Sequence, residues 1–549
     1  MTKGLLYMPI PALATRRFSL SIAIALATLP LPTTANTAAG ADCPAGNVQV
    51  VTTALIQAED ANAANQASII GLPYQAPHRS RDFRGEAAEP ATGSVYGLAY
   101  HASSNTLLSG AFLKRFAALG PHGTGAIYAT DRRTGQTTLF ADLNRLGGGA
   151  VAGNDPRGGA TDWFHDAASF DKVGFVGLGD IDLSEDQQTL YAVSLGDRKL
   201  YQLDTAALNA GGKLPVNQLK AAPVAIPLNA CSNPQDARPM GLGIHDGQVY
   251  VGVTCTAQST VGSGSIGDTK QLKAAVYRFD PQAQRFDNAP AFSTPLNYPR
   301  GCVYSSNIMA APPEPGCFDT NWRPWQPDWR VVYGRIAPGN AQQTNFNLEY
   351  PQPWLSDVEF DNGDMLLGFR DLNGDRTGYC KGSPDTTENP QVPNTQDACK
   401  AGTMGIQQGN GAGDILRACA AGSGWVLESN GSCGGQRTVG QNNGQGPQGG
   451  EYYWNDQGSG GTGAGGDTRG HHQTAMGALL QLPQRGEIVT TAMNPFDFYS
   501  GGIEWYGNQQ GNSIRRAEAY NSKDYWGFGK ANGLGDLEWV CGNSGYRGR

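Results

Sequence analysis

Charge is scarce in this chain. Its 549 residues include 40 basic and 48 acidic side chains, 16% of the whole, against about 25% in ordinary soluble domains. There is no basic run, which removes the electrostatic footprint of a nucleic-acid binder. Beyond the N-terminal segment no stretch approaches the roughly 18 consecutive apolar residues of a membrane-spanning helix. The absence of C-x-x-C takes away the usual zinc, thioredoxin-type and c-type haem signatures. H-x-H, H-E-x-x-H, G-x-S-x-G and P-loop patterns are missing as well.

Glycine, in contrast, is abundant: 75 residues, near twice its ordinary share. With 33 prolines and 9% aromatics, it describes a chain that turns often between short strands. The N-terminus stands apart. Lys3, Arg16 and Arg17 precede an apolar run over 18–31, and Ala39-Gly40-Ala41 fits an A-x-A cleavage site. Residues 1–41 read as a secretory signal peptide and 42–549 as one mature domain. Removing the peptide takes three basic groups and no acidic one, which leaves 37 against 48, a net charge of −11. The expected location is extracellular, at the cell surface or in the periplasm.

All ten cysteines fall in the mature part, and an even number in an exported chain implies disulfides. Spacing leaves the pairing open. Four local pairs suggest themselves: Cys231 with Cys255, Cys302 with Cys317, Cys380 with Cys399, and Cys419 with Cys433. Cys43 and Cys541 remain at the two ends.

One phrase recurs: VYGLAY from Val95, GLGDIDL from Gly177, GLGIHD from Gly241, LSDVEFD from Leu355, GGIEWY from Gly501 and GLGDLEW from Gly533. Several copies are followed by a turn and a second apolar strand, often by a third. Such repetition is what a β-propeller blade writes into a sequence, because one small sheet cannot bury both faces and must stack on its neighbours. The fold expected is all-β, a propeller of seven blades with six as the alternative count, the phrases lying on the innermost strands. Long insertions are expected near 312–329, 377–400 and 440–470, the last with the composition of a flexible loop.

Among residues suited to chemistry, Asp371, Asn373 and Asp375 place oxygen ligands at alternate positions, as calcium loops do. The alternative is a polar hairpin turn, since the EF-hand pattern fails at Arg376 and Gly382. Asp180, Asp357 and Asp536 recur at matching places with Asp182, Glu359 and Glu538. Recurrence favours a structural role, such as accepting backbone N–H groups where blades abut. Trp322, Trp325 and Trp329, and the knot Tyr452, Tyr453 and Trp454, either contact a ligand or pin insertions onto the propeller.

The last fifty residues carry Ser500-Gly-Gly-Ile-Glu-Trp-Tyr, Arg516-Ala-Glu-Ala-Tyr-Asn and Gly527-Phe-Gly-Lys-Ala-Asn-Gly-Leu-Gly-Asp-Leu-Glu in close order. Together with Leu355 to Arg376, this resembles the large N-terminal region of bacterial surface proteins that carry B-type repeats of the serine-aspartate-repeat (SdrD-like) class. The resemblance implies an extracellular propeller in a surface or adhesive protein, with no assigned reaction. This chain ends nine residues after Val540 without such repeats, so a freely secreted or periplasmic propeller fits as well. The leading functional expectation is a binding or adhesion module for an extracellular protein or carbohydrate. The alternative is a propeller enzyme with a calcium or quinone cofactor, resembling sugar dehydrogenases, phytases or lactonases, whose chemistry sits at the central mouth.

Overall fold

Leu534–Cys541, the last strand of the chain, pairs antiparallel with Val48–Ala54, the first. That pairing closes a ring. The computed structural model describes residues 48–542, apart from 61, 159–160, 210–213, 263–264, 306–316, 319–320, 337–346, 388–406, 457, 460–469, 483–484, 522 and 525. Residues 1–41, expected to be a signal peptide, lie outside the described residues.

Six antiparallel blades surround one axis, five of four strands and one, the blade that opens with Ala237–His245, of five. Blade 1 is composite: its inner strand Leu534–Cys541 comes from the C-terminal end, and Val48–Ala54, Ala67–Pro73 and Arg84–Ala88 follow outward. Blades 2 to 6 begin with the inner strands Val95–His101, Leu178–Leu183, Ala237–His245, Pro353–Asp361 and Ala475–Gln481. Each inner strand packs beside the next, and the sixth beside the first. Short connections place consecutive strands side by side, and the apolar faces of adjacent sheets fill the wedges between blades.

The blade count is six, the lower of the two expected numbers. The surplus length went into insertions that fold as small sheets of their own, such as Tyr304–Ser305 with Cys317–Phe318 and Gly470–His471. One repeated phrase was misplaced. GGIEWY forms the third strand of blade 6, Gly501–Gly507, whereas the inner strand of that blade reads AMGALLQ. The other five phrases are innermost. Of the Gly-rich tract 440–470, residues 457 and 460–469 lie outside the described part; within it Gln445, Glu451, Tyr452 and Tyr453 are buried.

Two disulfides are seen in full, Cys231–Cys255 and Cys419–Cys433. Cys302, Cys380 and Cys541 are disulfide-bonded as well. Cys43, Cys399 and the side chain of Cys317 lie outside the described part. Among the described residues no helix is long and apolar enough to cross a membrane.

Candidate functional site on the propeller axis

Every inner strand is bulged near its start. The register against the second strand of the same blade shifts between Val95 and Leu98, Leu178 and Ile181, Pro239 and Leu242, Leu355 and Asp357, and Ala475 and Leu479. On the composite blade the shift falls between Thr52 and Ala54, opposite Leu537 and Leu534. A bulge takes backbone groups out of the ladder, and a buried N–H without a partner is costly. Neighbouring blades supply the acceptors. Asp536 Oδ2 accepts from Leu98 N at 2.8 Å, Asp180 Oδ2 from Leu242 N at 3.0 Å, and Asp357 Oδ2 from Leu479 N at 2.6 Å. The second oxygens of Asp180 and Asp536 accept from the bulged N–H of the next residue, Ile181 and Leu537.

The carboxyl groups therefore stand on blades 1, 3 and 5 and reach blades 2, 4 and 6, a threefold alternation. At the intervening junctions glycine allows closer approach. A Cβ on Gly97 would lie 2.5 Å from Ile181 N, and one on Gly241 2.5 Å from Asp357 N. Two residues further along the acid-bearing strands, on the same face, come Asp182, Glu359 and Glu538. Glu359 accepts from the backbone of Gln481, and Glu538 from those of Trp539 and Tyr100.

All six acids are raised above the usual carboxylate range, by burial first and, for all but Asp182, then by the like charges of the others. Burial pushes Asp182 up to about 7, and burial with the charge of Asp182 pushes Glu359 up to about 8. Asp180, Asp357, Asp536 and Glu538 are raised well above the usual range. The charge of Asp536 adds to the rise of Asp180, and that of Asp357 to the rise of Asp536.

Toward the starts of the inner strands the axis is occupied by a buried charged cluster. Arg370 binds Asp375 through two hydrogen bonds, Nε to Oδ2 at 2.7 Å and Nη2 to Oδ1 at 2.8 Å. Its Nη1 donates to the carbonyls of Met476 and Leu534, both at 2.8 Å, and its guanidinium lies 5.2 Å over the Tyr96 ring. One side chain thus touches blades 5, 6, 1 and 2. Lys114 Nζ donates to Gly374 O, Ala531 O and Asp375 Oδ1. Burial pushes the Lys114 ammonium down to about 7, with Asp375 opposing. Burial alone would raise Asp375, but Arg370 and Lys114 outweigh it and hold the carboxylate below its ordinary range. All three side chains are fully buried.

The expected calcium ligands sit in this cluster. Asp371 caps the one-turn helix Leu372–Arg376 and accepts from the backbone N–H groups of Gln352, Asn373 and Ala412. Asn373 donates to the carbonyls of Leu348 and Asn410. Asp375 turns to Arg370, Lys114 and Asn532. The loop is a helical turn rather than a hairpin, and its three side chains face three sets of protein partners. Among the described residues no three His, Cys, Asp or Glu side chains are placed to hold a metal ion.

The aromatics turn inward. Trp322 and Trp325 are buried, the first under Arg300 at 4.1 Å and the second edge-on to Trp354 at 5.4 Å. Trp329 meets Tyr333, Tyr452 and Tyr453 donate to Asn508, and Trp454 donates to Gln510 O at 2.9 Å. Sequence reasoning missed Lys114 and Arg370. Their only signal was a cation inside an apolar strand or its continuation, FLKRF and LLGFRD.

No known protein-family profile matches the chain. It is similar to colossin-D of Dictyostelium discoideum, 24% identical over 482 residues, which are 86% of this chain and 42% of colossin-D. Colossin-A of the same organism is 25% identical over 470 residues, 82% of this chain and 3% of its own length. The chain therefore spans less than half of the curated relatives it matches. Among solved structures it is similar to the nidogen/laminin complex (TM-score 0.38, 7% identity, 90% of this chain and 99% of that one). It is also similar to a periplasmic gluconolactonase of Pseudomonas aeruginosa (TM-score 0.35, 10% identity, 90% and 99%).

Proposed function

We propose that the protein is an exported binding module whose propeller displays recognition surfaces for an extracellular protein or carbohydrate. The observation that carries this reading is the state of Arg370, Asp375 and Lys114. The charged groups that an axial reaction centre would need are fully buried and committed to joining four blades. Disulfides tying strands and insertions together suit an oxidising compartment. The resemblance of the C-terminal segments to SdrD-like surface proteins points the same way.

The enzyme reading rests on the same cluster taken as machinery: an ammonium pushed down to about 7 beside a carboxylate is a pairing that catalysis also uses. Calcium at Asp371, Asn373 and Asp375 would have to displace Arg370 and Lys114 from Asp375. Melting curves in calcium and in chelator test that directly, since an ion bound only by the folded chain raises Tm. For the function itself, the purified protein is assayed for saturable binding to immobilised matrix proteins and polysaccharides, and for turnover of lactone, phosphomonoester and aldose substrates. Binding without turnover supports the module. Turnover abolished by Lys114→Met in a folded variant overturns it.

A further inference from the structure

The outer edge of blade 6 carries a cavity remote in kind from the axis. The turn between the third and outermost strands of blade 1 is hooked onto the last strand of blade 6, Ser513–Tyr520. Ser80 bridges Ala517, Glu518 N donates to Ser80 O at 2.9 Å, and Arg79 N donates to Arg516 O at 2.9 Å. Held this way, Arg79 adopts a φ of 69°. A residue with a Cβ rarely takes this left-handed conformation, and its persistence at a concave surface marks a position worth a functional hypothesis.

The strained residue presents a guanidinium. Arg79 lies 4.8 Å over the ring of Phe496, and His78 meets the same ring edge-on at 5.7 Å. With Arg515, Arg516, Ser513 and Asn455 they line a cavity of about 270 Å³. Among the described residues no carboxylate lines it. Arg515 binds Glu487 at 2.9 Å and Arg516 binds Glu504 at 2.5 Å, and the nearby Asp497 and Glu518 are both engaged by Arg81. Arg79 alone among the three lining arginines has no carboxylate partner among the described residues. The positive field is registered by His78, which partial burial and then Arg516 and Arg79 hold below its ordinary pKa.

We infer that this cavity binds a small organic anion, a carboxylate or sulfate carried on a body of monosaccharide size. A guanidinium fork matches the paired oxygens of such a group. Ser513 and Asn455 supply partners for hydroxyls, and Ile514, 47% exposed, supplies an apolar wall. The volume lies just below the usual range of about 300–1,000 Å³ for small-molecule sites, so a single ring or the end of a chain fits. The inference does not depend on the exported binding role, because the site is measured on the purified protein.

Calorimetric titration with D-glucuronate, glucose 6-sulfate and uncharged methyl glucoside tests it, at low salt, on wild type and Arg79→Gly. Glycine suits the left-handed conformation, so this variant is expected to melt at or above the wild-type temperature. Saturable binding of either anion, absent for methyl glucoside and weakened at least tenfold in R79G, is the expected result. Equal affinity in R79G, equal binding of methyl glucoside, or no binding of either anion by wild type would overturn the site. Should R79G melt early, Ile514→Trp, which fills the cavity from an exposed position, must abolish binding for the inference to stand.

Discussion

Asp536 Oδ2 and Leu98 N, 438 residues apart in sequence, meet at 2.8 Å across the junction where the ring closes. The same bond recurs from Asp180 to Leu242 and from Asp357 to Leu479. Replacing Asp536 with Ala leaves two bulged N–H groups, those of Leu98 and Leu537, without their acceptor. A buried orphan donor costs about 1–3 kcal/mol, and with two of them urea denaturation is expected to show a loss of at least that size. Asp536→Asn is expected to cost much less near neutral pH. It keeps one acceptor oxygen of the two, so one N–H is orphaned instead of two.

Stability should fall as pH rises from 5 to 7. Burial raises Asp182 to about 7 and Glu359 to about 8, above their unfolded values near 4. Between the two values the folded state holds more protons than the unfolded one, so ΔG of unfolding decreases with pH. The contribution is complete below about 4 and gone above the folded values. Lys114, pushed down to about 7, works in the opposite direction above that pH. His78, His101 and His471, held below their ordinary pKa by burial first, oppose the slope inside the window, so the slope is read as the difference between wild type and Glu359→Gln. Melting temperatures across pH 5 to 7 check the slope, and Glu359→Gln is expected to flatten it.

The Arg370–Asp375 pair is expected to be intolerant of half-removal. Asp375→Ala leaves two buried cations, Arg370 and Lys114, without their counter-charge, a change that costs about 3–5 kcal/mol. Adding Arg370→Met to that variant should recover part of the loss. A double-mutant cycle in urea measures the coupling. Additive losses would show that Arg370 stabilises the ring through its carbonyl contacts alone.

Cys541 is disulfide-bonded, and its strand pairs with Val48, five residues beyond Cys43. Non-reducing peptide mapping is expected to recover Cys43 joined to Cys541. Recovery of Cys43 joined to any other cysteine contradicts it.

The ring was legible in the sequence where chemistry and position coincided. Gly179-Asp180, Ser356-Asp357 and Gly535-Asp536 mark inner strands because the junctions need a small residue beside an acceptor. AMGALLQ was not legible, since its strand receives the bond from Asp357 through the backbone of Leu479 and needs no acid of its own. GGIEWY imitated the phrase by carrying a glycine and an acid for another purpose, Glu504 binding Arg516. The axial cluster stayed hidden because Lys114, Arg370 and Asp375 come from segments about 260 residues apart, and only the closed ring brings them together. The tryptophans every three or four residues fitted either a ligand contact or the pinning of an insertion. Cation contacts and backbone acceptors, invisible in one dimension, turn Trp322 and Trp325 inward.

Amide hydrogen exchange tests most directly whether alternate blades are joined by carboxyl groups accepting bulged N–H groups. It is measured at Leu98, Leu242 and Leu479 in wild type and in Asp536→Ala. Protection at Leu98 is expected to fall by at least tenfold in the variant, while Leu242 and Leu479, bonded to Asp180 and Asp357, keep theirs. Unchanged protection at Leu98, or an equal fall at all three amides, would contradict the account.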